Sequence, residues 1–395
     1  MREPSAKYFT RHGYKQTEVG VIPEQWTVTT VGYEFSIQLG KMLDAEKNVG
    51  VSKPFLGNRA VQWGCIDLSD IGNIKLTPSD LQQYRLRNGD LLVCEGGEVG
   101  RAAIWNAPID ECYYQKALHR LRPKRGYNVD LMRNLLQRLS ETRVLQNFVT
   151  RTSIAHLPKD KFETIPIPLP TKAEQDAIAE ALSDADALIE SIEQLIAKKH
   201  HLKQGAMQEL LTGKKRLPGF TGKWEVKRLG DICRMKSGEG ITTTDIDEHS
   251  QFPCYGGNGL RGFSKRYTHD GSYALIGRQG ALCGNVLTVV GRFFASEHAV
   301  VVTPDMETDI HWLSLVLLRM NLNQFSESSA QPGLSVAKLL ALECVVPPHT
   351  EQTAIATILS EMDADIAALA SKLAKARQLK QGMMQELLTG RIRLV

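Results

Sequence analysis

Three observations in the 395-residue sequence predict an α/β (α+β) fold in which two globular parts alternate with two long helices. The helices are expected to pack as an antiparallel coiled coil, giving the chain a pseudo-twofold internal repeat. The first observation is a duplication. Residues 174–217 and 351–394 align without a gap at an offset of 177, and 25 of 44 positions are identical. The second is that each copy carries apolar residues at alternating steps of three and four. The third is that the stretches between the copies start alike and then diverge, mixing short β-rich runs with glycine and asparagine turns.

The helical repeat is the most specific of these signals. Ile178, Leu182, Ala185, Ile189, Ile192 and Ile196 form one seam, and Ile355, Leu359, Met362, Ile366, Leu369 and Leu373 repeat it. A 3.5-residue spacing lines one narrow stripe of a helix, the pattern of helices that pack in pairs. From the Glu-Gln start to the Leu-Leu before Gly213 or Gly390, each helix would be about 57 Å long at ~1.5 Å per residue. Pro170 and Pro347 precede the helices, and Gly213 and Gly390 are expected C-caps. Gly205 and Gly382 lie inside the pattern, where a bend is possible. An intervening globular segment lets the chain return, which favours an antiparallel pair.

The globular parts each begin with a tryptophan after a proline-containing lead-in, at Trp26 and Trp224. Asp90-Leu-Leu-Val-Cys, Tyr273-Ala-Leu-Ile and Ala299-Val-Val-Val read as strands, and residues 129–147 and 309–325 read as one helix in each part. The domain map is an N-terminal extension over 1–20, a first head over 21–172, a helix over 173–213, a second head over 214–349 and a second helix over 350–395. The extension takes the place of the connection that leads from the first helix into the second head.

Composition narrows the class. A 42% hydrophobic content is ordinary for globular protein, and no apolar run reaches the ~18 residues that span a bilayer. Seven cysteines without a C-x-x-C pair read as reduced thiols in a cytoplasmic protein, and Cys65, Cys94 and Cys283 read as packing residues. The N-terminus carries no secretory signal pattern. Net charge is +4, but residues 174–211 carry −5 and 351–388 carry −1, leaving +10 on the rest. The positive excess outside the helices is where an anionic partner would dock.

These features resemble the specificity (S) subunit of type I restriction–modification systems. The duplicated helix (EQ-x-AIA…LS…LKQG…LLTG) carries the resemblance, with LGNRAVQWGCIDLSDI (56–71), GDLLVCEGGEVGRAAIW (89–105) and LIGRQGALCGN (275–285) looking like target-recognition-domain sequence. The resemblance implies two target recognition domains on an antiparallel helical spacer, each reading one half of a split site in double-stranded DNA. It implies two modification (methyltransferase) subunits assembled around the helices. Restriction subunits with translocase and nuclease activity would join them.

No chemistry is expected in the chain itself. There is no phosphate loop; Gly259–Lys265 has the wrong spacing. Glu95-Gly-Gly-Glu-Val-Gly100 reads as a tight β-turn rather than a nucleotide loop. His200-His201 reads as a solvated helix face, and no cysteine–histidine cluster has metal-ligand spacing. No cofactor and no metal are expected.

The candidate DNA-contacting residues are polar, basic and aromatic side chains in the loops. In the first head they are Asn58, Arg59, Gln62, Trp63 and Arg101, with Lys116, His119 and Arg120 in the densest basic stretch (116–125). Asn and Gln suit adenine edges and Arg suits guanine. The plainer reading of Trp63 is a core aromatic, and that of the basic stretch a solvated face. In the second head the candidates are Tyr255, Asn258, Arg261, Lys265, Arg278, Gln279 and His298, with a structural hydrogen bond as the other reading of His298. Arg278 matches the neighbourhood of Arg101 only loosely. The alternative to a specificity subunit is a stand-alone bipartite DNA-binding regulator.

Overall fold

The structure is a computed structural model and describes residues 12–44, 46–151, 155–280, 282–326 and 333–394. The chain divides into two compact units, Met1–Ser191 with Leu373–Val395, and Ile192–Lys372. Each unit therefore holds one globular head and a half of each long helix.

Both long helices form, over Lys172–Leu210 and His349–Leu387. Each runs through its internal glycine, Gly205 or Gly382. The predicted C-caps hold: Gly213 and Gly390 have φ of 71° and 67°, the left-handed conformation that glycine adopts without a Cβ penalty. No seam residue is exposed. Within the first unit Asp186 meets Lys380 at 2.6 Å, and within the second Asp363 meets Lys203 at 2.5 Å. These are the same two repeat positions with the helices exchanged, and in each unit the two helical segments run antiparallel.

The first head is built on a four-stranded antiparallel sheet in the order Phe35–Leu39, Leu118–Pro123, Asp90–Cys94, Ala102–Trp105. A strand alternates its side chains between faces. Leu91 and Val93 accordingly join the core shared with the helix Val129–Glu141, while Leu92 and Cys94 join a second core around Leu56, Trp105 and Tyr114. Burial on both faces is why Asp90–Cys94 reads as an unbroken apolar run. Ile178, Leu182, Met384 and Leu387 of the long helices, with Leu388 just past the second, belong to the first of these cores. A hairpin, Tyr14–Thr17 with Gly20–Pro23, precedes the head, and the Tyr14 hydroxyl donates to Gly390 O at 3.0 Å.

The second head carries a six-stranded sheet in the order Cys233–Ser237, Ala299–Pro304, His269–Gly277, Val286–Ala295, Phe252–Gly256, Gly259–Ser264. Its helix, Ile310–Arg319, is N-capped by Asp309, whose carboxylate accepts from His311 N and Trp312 N. Leu210, Leu211, Ile355 and Leu359 of the long helices enter its core.

The head helices are shorter than their apolar pattern predicts. They stop at Glu141 and Arg319, and short 3-10 turns follow at Val144–Asn147 and Leu322–Phe325. In both heads a left-handed residue makes the break, Arg143 (φ 61°) and Asn321 (φ 47°). A periodic apolar pattern passes over a single reversed residue and does not register it.

Candidate nucleic-acid interface

The repeat's opening Glu-Gln pair explains how each head is held. Glu174 and Glu351 are buried. Glu174 accepts a hydrogen bond from Trp26 Nε1 at 3.0 Å and pairs with Arg393. Glu351 accepts from Trp224 Nε1 at 3.0 Å and from Arg216 Nε at 3.0 Å. The arginines are the same repeat position, each lying just past the end of the other long helix. Gln175 Nε2 donates to Pro170 O (3.0 Å) and its Oε1 accepts from Asn128 N (2.9 Å); Gln352 does the same with Pro347 O (2.9 Å) and Asp309 N (2.8 Å). Asn128 and Asp309 are the N-caps of the two head helices. One dipeptide thus fastens a tryptophan, an arginine and a head helix. The repeat made Glu-Gln visible in the sequence, but the glutamate's tryptophan and arginine partners lie more than a hundred residues away, and the glutamine's N-cap partners lie more than forty away.

In the first head the loop after Val51–Leu56 and the turn after Asp90–Cys94 are tied together. Asn58 Nδ2 donates to Gly96 O (2.9 Å), and Arg101 Nη2 donates to Asn58 O (2.9 Å). Glu98 receives Trp63 Nε1 at 2.6 Å and lies 3.3 Å from Arg101 Nη1. Arg101 is largely buried, so it positions this loop rather than reaching outward. Trp63 is half-buried and packs against the first core. Gln62 Nε2 donates to Arg59 O (2.6 Å), while Arg59 is exposed beside Asp70 (3.1 Å) and Lys116 is exposed.

Two expected DNA contacts are corrected. His119 and Arg120 lie on the central strand Leu118–Pro123 and are buried. His119 Nε2 pairs with Leu157 O at 2.8 Å, and burial pushes its imidazole down to about 4. Arg120 is occupied by Gln38 and by Gln83 O. Neither side chain is placed to reach a groove.

In the second head Asn258 sits exposed at the turn between Phe252–Gly256 and Gly259–Ser264, with Arg261 and Lys265 exposed on the second strand and just after it. Tyr255 is half-buried, its ring edge-on to Phe293 with centroids 5.9 Å apart. Arg278 Nη1 donates to Ser237 Oγ at 3.0 Å. Gln279 is exposed and its Oε1 meets His298 Nδ1 at 3.0 Å; His298 Nε2 is 3.3 Å from Glu297. The structural reading of His298 therefore has a partner on each ring nitrogen. Among the described residues no group of three or more His, Cys, Asp or Glu side chains is arranged to hold a metal. Among the described residues no helix is long and apolar enough to cross a membrane.

Residues 23–198 and 221–378 match the family described as the type I restriction modification DNA specificity domain, twice along the chain. The chain belongs to that family. The EcoprrI specificity subunit of Escherichia coli is 48% identical over 141 residues, 35% of each chain, so the match spans about a third of that relative's length. The MjaVIII specificity subunit of Methanocaldococcus jannaschii is 23% identical over 98% of both chains. In fold, the chain is similar to the S subunit of a type I restriction–modification system from M. genitalium (TM-score 0.62, 18% identity, 92% of this chain and 96% of that one). It is also similar to a chain from a structural study of complex assembly and conformational transition in the type I system (TM-score 0.58, 17% identity, 94% and 99%).

Within this specificity-family chain, backbone hydrogen bonds set the true correspondence between heads. Glu95 N donates to Ala117 O and Leu157 N to Glu95 O; Arg278 N donates to His298 O and Leu334 N to Arg278 O. Gly100 N donates to Cys94 O just as Gly284 N donates to Gly277 O. Arg278 therefore corresponds to Glu95, and Arg101 corresponds to Asn285. The loose match of Arg278 to Arg101 is replaced by this register.

Proposed function

We propose that this chain is the DNA-recognition subunit of a type I restriction–modification complex, reading a split and asymmetric site in double-stranded DNA. One observation carries the reading. The two units share one clamp of Trp, Glu and Arg on duplicated helices, while the loops on the two heads share almost no sequence. A common frame with two different reading surfaces suits a site with two different half-sequences. The first head (21–172) would read one half and the second (214–349) the other. Phosphate contacts would position each head and base-edge contacts would specify sequence.

The two helices act in this reading as an antiparallel coiled coil that fixes the unread gap. Partner subunits complete the enzyme: two modification subunits that methylate adenine, and restriction subunits that translocate and cleave. The chain itself is non-catalytic and works in the cytoplasm. The loop residues Asn58, Arg59, Gln62, Lys116, Asn258, Arg261, Lys265 and Gln279 are the proposed contacts, with Trp63, Arg101, Tyr255 and His298 shaping the loops that carry them.

The test is to co-express the chain with its modification subunit and map methylated adenine across the host genome. A bipartite motif with a constant gap is expected. Inserting four residues, about 6 Å of helix, into either long helix should lengthen the gap and leave both half-sites unchanged. A soluble, assembled complex that methylates no defined motif would defeat the proposal. Tight site-specific binding by the chain alone would favour a stand-alone regulator.

A further inference from the structure

The hydrogen-bond register that equates Glu95 with Arg278 extends to two further positions on the rim of the sheet, the end where Asp90–Cys94 and Phe35–Leu39 finish and Leu118–Pro123 begins. Gln115 N donates to Leu56 O and Leu118 N to Gln115 O; Ser296 N donates to Tyr255 O and Ala299 N to Ser296 O. Lys116 therefore corresponds to Glu297. Gly40 N donates to Leu118 O and Lys41 N to Tyr114 O; Gly238 N donates to Ala299 O and Glu239 N to Ala295 O. Lys41 therefore corresponds to Glu239, and isolated bridges Lys41–Gln115 and Glu239–Ser296 repeat the same contact. The first head presents Lys41, Lys116 and Glu95. On the same backbone the second presents Glu239, Glu297 and Arg278. Every sign is inverted.

We propose that Glu95 and Arg278 are equivalent base-selecting residues, and that their opposite charge makes the two heads select bases of opposite hydrogen-bonding character. This rests on the DNA-reading function proposed above. A carboxylate offers only acceptors, so Glu95 selects a base that presents an exocyclic amino group in the major groove, cytosine or adenine. A guanidinium offers only donors, so Arg278 selects the paired acceptors of guanine. A carboxylate next to phosphates is repelled, so Glu95 suits a base edge rather than a phosphate.

A second observation marks the same rim as unfinished. Asn58 Oδ1 in the first head, and Ser296 Oγ and Glu297 Oε2 in the second, are buried without a hydrogen-bond partner. Asn58 bonds Gly96, the neighbour of Glu95, and Ser296 and Glu297 lie in the turn just before His298, whose carbonyl accepts from Arg278 N. Buried polar atoms are ordinarily satisfied, so orphaned polar atoms on both rims point to an outside hydrogen-bond partner. Glu95 sits in a partly dry recess: burial raises its carboxyl above the usual range, with Lys116 and His156 pulling it back down. A dry setting strengthens each hydrogen bond that a base supplies.

The experiment uses the full chain assembled with its modification subunit and selects bound sequences from a randomised DNA duplex. Glu95→Gln and Glu95→Arg should change the preferred base at one position of one half-site, by about 5- to 150-fold in relative affinity. The other half-site should keep its sequence. Arg278→Gln should do the mirror image, replacing guanine preference at one position of the other half-site, and Arg278→Lys should relax that preference. Variants that assemble and keep every base preference would overturn the assignment, as would an affinity loss spread evenly over all sequences. If the wild-type complex selects no sequence at all, the DNA-reading function itself fails, and this inference with it. A charge-reversed variant that fails to assemble shifts the decision to Glu95→Gln, which keeps size and shape, and to Arg278→Lys, which keeps the charge.

Discussion

Removing the Trp26 N–H and the Glu174 carboxylate, singly and together, tests whether the clamp holds the first unit. Glu174 is 1% exposed and its carboxylate receives the indole at 3.0 Å. A hydrogen bond to a charged group is worth about 1.5–3 kcal/mol, and an orphaned buried donor costs about 1–3 kcal/mol. Glu174→Leu alone strands the indole N–H; Trp26→Phe alone removes one donor from the carboxylate; the double variant strands neither. The cycle cancels the cost of the lost indole ring and isolates the pair. A coupling of about 1.5–3 kcal/mol is expected. Native-state hydrogen exchange under urea is the assay, read on peptides of the first unit, because a chain of two units need not unfold in one step. The Trp224–Glu351 cycle, read on the second unit, should give the same value, since its bond is also 3.0 Å. Single effects that add to within about 0.5 kcal/mol in both units would refute the reasoning.

Three further predictions follow from single residues. His119 is held neutral, with its pKa depressed from 6.5 to about 4; the unfolded chain takes up the proton first, so stability is full above about pH 6.5 and falls toward pH 4. The loss should approach about 3 kcal/mol, and urea midpoints of His119→Gln should lack that slope. Gly390→Ala must place a Cβ 2.5 Å from Pro23 Cγ at a φ of 67°, whereas Gly213→Ala meets Trp224 no closer than 3.1 Å at 71°. Both lose about 1–2 kcal/mol to the left-handed backbone, but Gly390→Ala should lose about 1–3 kcal/mol more to overpacking, measured by the same exchange experiment. Arg101→Ala releases Asn58 and Glu98 and should weaken binding at the first head's half-site several-fold without changing its preferred bases, as DNA selection would show.

The frame was legible because its signals are local and periodic. The steps of three and four from Ile178 and Ile355, the glycine C-caps and the Asp90–Cys94 run all depend on neighbours within a few residues. What escaped depends on distant partners. Arg216 and Arg393 look like members of a basic tail until each is seen against the opening glutamate of the other helix. His119 and Arg120 look like the start of a basic surface, since a sequence shows their charge but not the Leu157 and Gln38 groups that engage them. Arg278 was visible as a turn arginine, but its equivalence to a glutamate was not, because a strand's backbone register leaves no trace in side-chain identity.

That last point separates the two kinds of position in a duplicated chain. Clamp residues bind their own chain, so both copies must keep Trp, Glu, Gln and Arg or lose a buried partner. Rim residues hang from backbone hydrogen bonds that any side chain permits, so they are free to change in either copy. At one of these rim positions the residue is ion-paired in both heads. Lys41 pairs with Asp80 at 2.8 Å in the first head, and its counterpart Glu239 lies 3.4 Å from Arg266 in the second. The partner's sign has reversed together with the residue's. Ion pairs at partly exposed sites add little to stability, so conserving the pair while inverting it gains the fold almost nothing. On the proposed reading, in which each head reads its own half-site, the inversion places oppositely charged residues at one equivalent backbone position of the two heads.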